Sequence, residues 1–363
     1  MSPASSTRVG AGAAGDVGAP GAPSSPLLQV RDLNLDLGDH GVPILRDVEL
    51  TLDPGEALGV VGESGSGKSM TLKCIARLTP PRAIVRGEVL VDGVDVNRLR
   101  GKSLRRYRQS QVGYVFQDPR AAINPMHTIG TFLLEAARDR GEDVTAAREQ
   151  ATSILASMGI TDPERRMRQY PFEFSGGLLQ RVMIASVLMA QPRLLLADEP
   201  TTALDVTTQA EVLALTDRLR RDRGLAMIFV THDLDLAMAV CRRIVVLYAG
   251  RVLEVADAGT LQTAPVHPYT RGLLASRPPL ETKLPQIPVV PGTPVSAAQA
   301  GPGCPFATRC PVRLPQCAEQ RPPLLLQGRS RVSCHRAEEI AAGALDGVLP
   351  LTHRPAQGGG TGA

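Results

Sequence analysis

The chain has 363 residues, room for roughly two or three domains with a sizeable core, and its net charge of +4 does not demand a nucleic-acid partner. Aromatic residues make up 3% with no Trp, which argues against stacking platforms for single strands, and no apolar run approaches the ~18 residues of a membrane helix. The chain reads as cytoplasmic, so its six Cys point to metal or structural roles before disulfides, and any membrane role must come through a partner.

Residues 1–26 are rich in Ala, Gly, Ser and Pro and lack an apolar core segment, so they read as a disordered tail and not a signal peptide. Residues 27–37 partly alternate, with Val30, Leu33, Leu35 and Leu37 apolar. Val48, Leu50 and Leu52 alternate with Glu49 and Thr51. Val89 and Val91 follow later, and Asp92-Gly93 offers a hairpin turn. These segments predict an antiparallel sheet with one wet face. The runs 58–61, 112–116, 194–197, 227–230 and 244–247 are near-continuously apolar, which predicts strands buried on both faces of a mainly parallel sheet. Helical patterns cover 129–138, 144–158 and 178–190, so residues ~119–175 read as a small helical subdomain inserted into an α/β core.

After the run 58–61 comes Gly62-Glu63-Ser64-Gly65-Ser66-Gly67-Lys68-Ser69, leading into a helix that starts near Lys68. Glycines let successive backbone N–H groups turn toward one anion, and the following helix adds its positive dipole end. Lys68 can reach the outer phosphates of a nucleotide, and the Ser69 hydroxyl can ligate Mg²⁺. Asp198 and Glu199 close the buried run 194–197. There Asp198 can hold Mg²⁺ and Glu199 can polarise an attacking water. Gln117, after Val115-Phe116, can touch Mg²⁺ or that water. His232 follows the run 227–230, at the strand end where α/β sheets bind ligands. Ser175-Gly176-Gly177 opens the third helical pattern as a second anion site, with exposed amides, a hydroxyl and a helix N-terminus.

In order, Gly62–Ser69, Gln117, Phe174-Ser175-Gly176-Gly177-Leu178, Leu195–Pro200, Ala203-Leu204-Asp205 and His232 resemble the nucleotide-binding subunit of ABC transporters over roughly residues 27–270. The resemblance implies ATP and Mg²⁺, bound by residues 62–70, and a two-subunit ATP sandwich. Ser175, Gly176, Gly177 and Asp205 of one subunit would meet the nucleotide held at Lys68 and Ser69 of the other. Glu199 would be the general base, His232 a γ-phosphate contact, and Ser69, Gln117 and Asp198 the Mg²⁺ set. Two departures stand out: Leu178 replaces the usual Gln of the signature, and no aromatic lies between Leu27 and Gly62 to stack on adenine, where Leu37 sits near the expected position.

After about residue 255 the prolines at 265, 268, 278, 279, 285, 288, 291 and 294 break regular structure. His267-Pro268-Tyr269-Thr270-Arg271, Gly303-Cys304-Pro305-Phe306 and Arg309-Cys310-Pro311 resemble the ATPase subunits of oligopeptide and dipeptide importers, with nickel importers as close relatives. Cys304, Cys310, Cys317 and Cys334 suit zinc or an iron–sulfur cluster, with His335 a possible substitute ligand, or are reduced, unligated thiols; some importers that this chain resembles carry a [4Fe-4S] cluster at such cysteines. Cys74 and Cys241 read as packing residues.

The expectation is therefore an α/β fold: a P-loop NTPase core with an N-terminal antiparallel β subdomain, an inserted helical subdomain and a small Pro/Cys-rich C-terminal lobe. Residues 27–270 would bind nucleotide, 271–340 would form the Cys-rich lobe, and 341–363 a flexible tail. The protein would hydrolyse ATP at the cytoplasmic face of the membrane to power import of oligopeptides or dipeptides. Its partners would be a second ABC ATPase subunit in a heterodimer, two membrane permeases touched near residues 121–128, and an extracytoplasmic solute-binding protein, with no nucleic acid. The alternatives are the ATPase of a nickel or other small-solute importer and a soluble ABC ATPase acting on nucleic acid or ribosomes.

Overall fold

Residues 25–202, 204–277, 289–346 and 348 are described by a computed structural model. Residues 1–24 of the tail expected at 1–26, Ala203, the prolines at 278, 279, 285 and 288, and residues 349–363 lie outside the described residues.

Alternation builds the first sheet. Strand β1 (Leu28–Leu37) pairs antiparallel with β2 (Val42–Leu52), burying Val30, Leu33 and Leu35 beside Val48, Leu50 and Leu52. The chain then runs through β3 (Ala57–Val61) and α1 (Lys68–Ile75), and returns as β4 (Ile84–Val91) and β5 (Val94–Asp95), completing the order β2-β1-β4-β5. The β4–β5 turn is Asp92-Gly93, at φ 53° and 76°, the two left-handed positions that a two-residue hairpin needs.

Beyond α2 (Gly101–Ser110) comes β6 (Val112–Val115), then α3 (Pro119–Ala122), α4 (Ile129–Arg140), α5 (Val144–Ser157), α6 (Pro163–Arg166) and α7 (Gly176–Met189). The core resumes with β7 (Leu194–Asp198), α8 (Val206–Asp222), β8 (Ala226–Thr231), α9 (Leu234–Val240), β9 (Arg243–Tyr248) and β10 (Arg251–Asp257). After α10 (Ala258–Thr263) and α11 (Pro268–Ala275), the strands β11 (Leu325–Gln327) and β12 (Ser330–Val332) join the second sheet, whose order is β11-β12-β10-β9-β3-β8-β7-β6. Strands β9, β3, β8, β7 and β6 are parallel, and the other three are antiparallel.

The apolar runs follow from double-sided burial. In β3, Ala57 and Val61 enter the core beneath the helices, whereas Leu58 and Val60 enter the core shared with the first sheet. The strand expected at 112–116 stops at Val115. Phe116 is 40% exposed, because the chain turns out of the sheet there, and its ring packs 4.6 Å from Tyr114. Pro268 does not interrupt structure; it opens α11 at the first turn, where its missing N–H costs nothing. The C-terminal segment also extends the core sheet through β11 and β12, so it packs against the nucleotide core and is not a loose appendage.

Candidate active site

Four parallel strands end on one edge. The phosphate loop follows β3, Gln117 follows β6, Asp198 closes β7 and His232 follows β8. A cleft of about 460 Å³ lies there, lined by the loop together with Ile44, Met70, Gln117, Glu199 and His232. The loop is tight. A Cβ on Gly62 (φ 154°) would stand 2.1 Å from the Leu247 carbonyl, and one on Gly67 (φ 104°) 2.6 Å from a Leu45 methyl. Gly67 caps α1, whose first turn carries no acidic residue.

Within the loop, the Ser66 hydroxyl is buried with no hydrogen-bond partner among the described residues. Such an orphan in a glycine-rich loop at a helix N-terminus suits an oxygen-rich anion. Lys68, only 5% exposed, donates to the carbonyls of Gly62 at 2.9 Å and Glu63 at 3.0 Å. Burial pushes its ammonium below the ordinary value, while Glu199, Asp198 and Glu63 oppose that shift. A polyphosphate here would add further counter-charge. Ser64 and Gly65 also line the cleft.

The Ser69 hydroxyl donates to Asp198 Oδ1 at 2.7 Å, so the two side chains suited to Mg²⁺ already meet. Asp198 Oδ2 accepts from the Tyr114 hydroxyl at 2.7 Å. Burial, then Asp198 itself, raises the Tyr114 pKa, which keeps that hydroxyl a donor.

Glu199 is the point of convergence. Its carboxylate accepts from Gln117 Nε2 at 3.3 Å and from the Thr202 hydroxyl at 3.0 Å. His232 Nδ1 lies at 3.3 Å and Lys68 Nζ at 3.9 Å. Its backbone sits at φ 44°, a costly conformation for a non-glycine residue, held by a 3.0 Å bond from its N–H to the Val230 carbonyl. An acceptor so presented can take a proton from a water in the cleft.

Other expected residues fall elsewhere. Ser175 is exposed and caps α7, its hydroxyl accepting from Leu178 N–H at 3.4 Å, with Gly176 and Gly177 in the first turn. None of the three lines this chain's cleft. Asp205 caps α8 and accepts from the Thr208 N–H at 3.0 Å and hydroxyl at 2.7 Å, bonds that hold its carboxyl below the usual range. The Glu63 carboxylate turns away from the cleft to Arg309, and only its carbonyl serves Lys68. Leu37 pairs with Val42 in the first sheet, and Ile44 is the aliphatic residue that lines the cleft.

Tyr114, Thr202 and Ile44 are not among the residues expected above, and Arg309 enters there only within Arg309-Cys310-Pro311, with no role at the loop. Thr202, in the turn three residues after Glu199, had a local signal. The others depend on tertiary packing. The four C-terminal cysteines share one lobe: Cys304 N–H bonds the Cys317 carbonyl at 2.8 Å, and Cys310 and Cys334 pack against one small apolar cluster. Burial pushes Cys304 up to about 11 and Cys334 to about 12, so both are protonated at neutral pH. Among the described residues no group of three or more His, Cys, Asp and Glu is arranged to hold a metal ion, so the expected iron–sulfur cluster gains no support from this geometry.

Behind the loop, His267 Nδ1 caps α11 by accepting from Tyr269 N–H at 3.0 Å, and the Tyr269 hydroxyl accepts from Glu63 N–H at 2.9 Å. Burial drives the His267 imidazole down to about 3 from its ordinary 6.5. Between those values the unfolded chain binds the extra proton, so this residue's contribution to stability is whole above pH 6.5 and is lost as pH falls toward 3. Wild type should therefore lose about 1 kcal/mol more than His267→Gln between pH 6 and 5, by denaturant unfolding at each pH. Parallel curves would contradict this.

Comparison with known proteins follows the same division of the chain. Residues 45–202 match the ABC transporter family, and residues 253–317 match the oligopeptide/dipeptide transporter C-terminal region. A probable peptide ABC transporter ATP-binding protein of Sinorhizobium fredii is 41% identical, over 86% of this chain and 96% of its own length. The dipeptide transport ATP-binding protein DppD of Bacillus subtilis is 39% identical, over 88% of this chain and 97% of its own length. Among solved structures, a dimeric ATP-binding cassette bound to ADP and Pi superposes with a TM-score of 0.57 at 29% identity, covering 64% of this chain and 98% of that one. With its strand-end cleft and its matched C-terminal region, the chain belongs to the ATP-binding subunits of the oligopeptide/dipeptide ABC transporter family.

Proposed function

We propose that the protein hydrolyses ATP to power import of oligopeptides or dipeptides through a partner membrane permease. The meeting of Gln117, Thr202, His232 and Lys68 on Glu199, beside the Ser69–Asp198 pair, carries this reading. ATP would lie over α1, with its phosphates among the amides of residues 62–69 and its adenine against Ile44. Ser69, Asp198 and Gln117 would hold Mg²⁺, which when bound neutralises charge on the phosphate oxygens. Lys68 and His232 donate to the γ-phosphate. Glu199 takes a proton from the attacking water as the new P–O bond forms and the bond to ADP breaks.

Ser175, Gly176, Gly177 and Asp205 lie outside the cleft of their own chain, which supports their serving the nucleotide of a second ATPase subunit, in a heterodimer. Residues 27–270 then form the nucleotide-binding domain and 271–340 the importer-type lobe. No helix among the described residues is long and apolar enough to cross a membrane. The protein would act from the cytoplasmic face, on two permeases fed by an extracytoplasmic solute-binding protein. Met126 (79% exposed) and Phe172 (77% exposed) offer apolar contact. Their segments are tied by the 2.9 Å bond from Ile129 N–H to the Gln169 carbonyl.

Reconstitution with those partners in liposomes tests the reading: peptide uptake should require MgATP, and uptake without ATP consumption would refute it. The cysteines carry a narrower reading, a [4Fe-4S] cluster on Cys304, Cys310, Cys317 and Cys334, which their shared place in one lobe supports and their present arrangement does not. Anaerobically purified protein should then be brown and contain about four irons per chain; colourless, iron-free protein would refute it.

A further inference from the structure

The geometry points to Arg309 as a positioning residue for the phosphate loop, through which the C-terminal lobe sets how tightly the cleft holds MgATP. This rests on the reading of the cleft as an ATP site. Arg309 lies in the lobe, one residue before Cys310, yet its guanidinium ends under the loop. Its Nη1 donates to Glu63 Oε2 at 2.8 Å and Nη2 to Glu63 Oε1 at 3.1 Å, a two-pronged pair whose Arg side chain is 4% exposed. The remaining guanidinium contacts are also fixed. Nε reaches the Pro291 carbonyl at 2.7 Å, Nη2 the Val290 carbonyl at 3.2 Å, and Nη1 the Tyr248 hydroxyl at 3.2 Å. The rings of Tyr248 and Phe306 flank it at 5.6 and 5.7 Å.

Glu63 relays this grip. Its carboxylate meets Arg309, its N–H meets the Tyr269 hydroxyl, and its carbonyl fixes the Lys68 ammonium at 3.0 Å. A shift of Glu63 therefore moves the cation that faces the phosphates. Without Arg309, a carboxylate would also stand unpaired in a loop that must accept a polyanion. The lobe thus supplies both the counter-charge and the anchor.

MgATP titration of the full-length protein tests this, with thermal unfolding measured in parallel. Arg309→Met should weaken MgATP binding about tenfold, and Arg309→Lys, which keeps the charge but loses the fork, about threefold. Because the effect passes through Glu63, Glu63→Gln combined with Arg309→Met should bind no more weakly than Arg309→Met alone. Unchanged affinity with only a lowered melting temperature would make Arg309 a plain structural residue and overturn the proposal. So would losses in the double variant that multiply. If Arg309→Met does not fold, Arg309→Lys and Glu63→Gln carry the same comparison. Wild type that fails to bind MgATP would instead sink the ATP reading itself.

Discussion

In the assembled transporter, Glu199→Gln leaves MgATP bound while slowing its hydrolysis about 10³-fold, the middle of the range for loss of a general base. The substitution is nearly isosteric. The carboxamide can still meet Thr202 and His232, and the strained backbone at φ 44° is retained by the same Val230 contact. What disappears is the acceptor that takes the water's proton. Lys68, 3.9 Å away, also loses a negative neighbour, which favours retention of the nucleotide over its loss. Near-normal turnover in single-turnover and steady-state assays would remove Glu199 from the role of base.

Lys68→Ala has the largest expected effect on binding. Truncating a buried, hydrogen-bonded charge costs about 2–5 kcal/mol, so MgATP affinity should fall at least about thirtyfold. The reason lies in what remains. Asp198 is 6% exposed and Glu199 stands nearby, and without the ammonium both would confront a polyanion. In the free protein the ammonium is held by the Gly62 and Glu63 carbonyls, so it is already aimed and little ordering remains to be done on binding. Calorimetric titration of the full chain checks this, with circular dichroism showing that the variant is folded. Unaltered affinity would place the phosphates elsewhere.

Much of the fold was legible because burial leaves a periodic trace. Residues 58–61 are apolar throughout since each side chain of β3 enters one of two cores, while β1 and β2 alternate since one face is wet. Ser175 was readable as the start of a helix because the signal for a helix N-terminus is local. The phosphate loop was readable because its amides need glycine where carbonyls crowd in, as Leu247 does at Gly62. Contacts between distant segments left no such trace. Arg309 lies 246 positions from Glu63, and Tyr114 lies 84 positions from Asp198, so nothing near either residue announces the pairing. Glu63 was counted with the nucleotide contacts because it sits inside the loop, whereas its side-chain direction is decided by a cation from the other end of the chain. Ile44 carries no local mark, because an adenine stack is expected of an aromatic and the strand presents an aliphatic face instead.

One chain holds only half of the proposed site, since Ser175 is exposed at the start of α7 while Lys68 lies in the cleft. The most direct measurement is sedimentation velocity of the Glu199→Gln protein mixed with the proposed companion ATPase subunit, with and without MgATP. The account predicts separate species without nucleotide and a joined pair with it, lost again when Ser175→Arg is introduced. Sedimentation unchanged by MgATP that is demonstrably bound would contradict it.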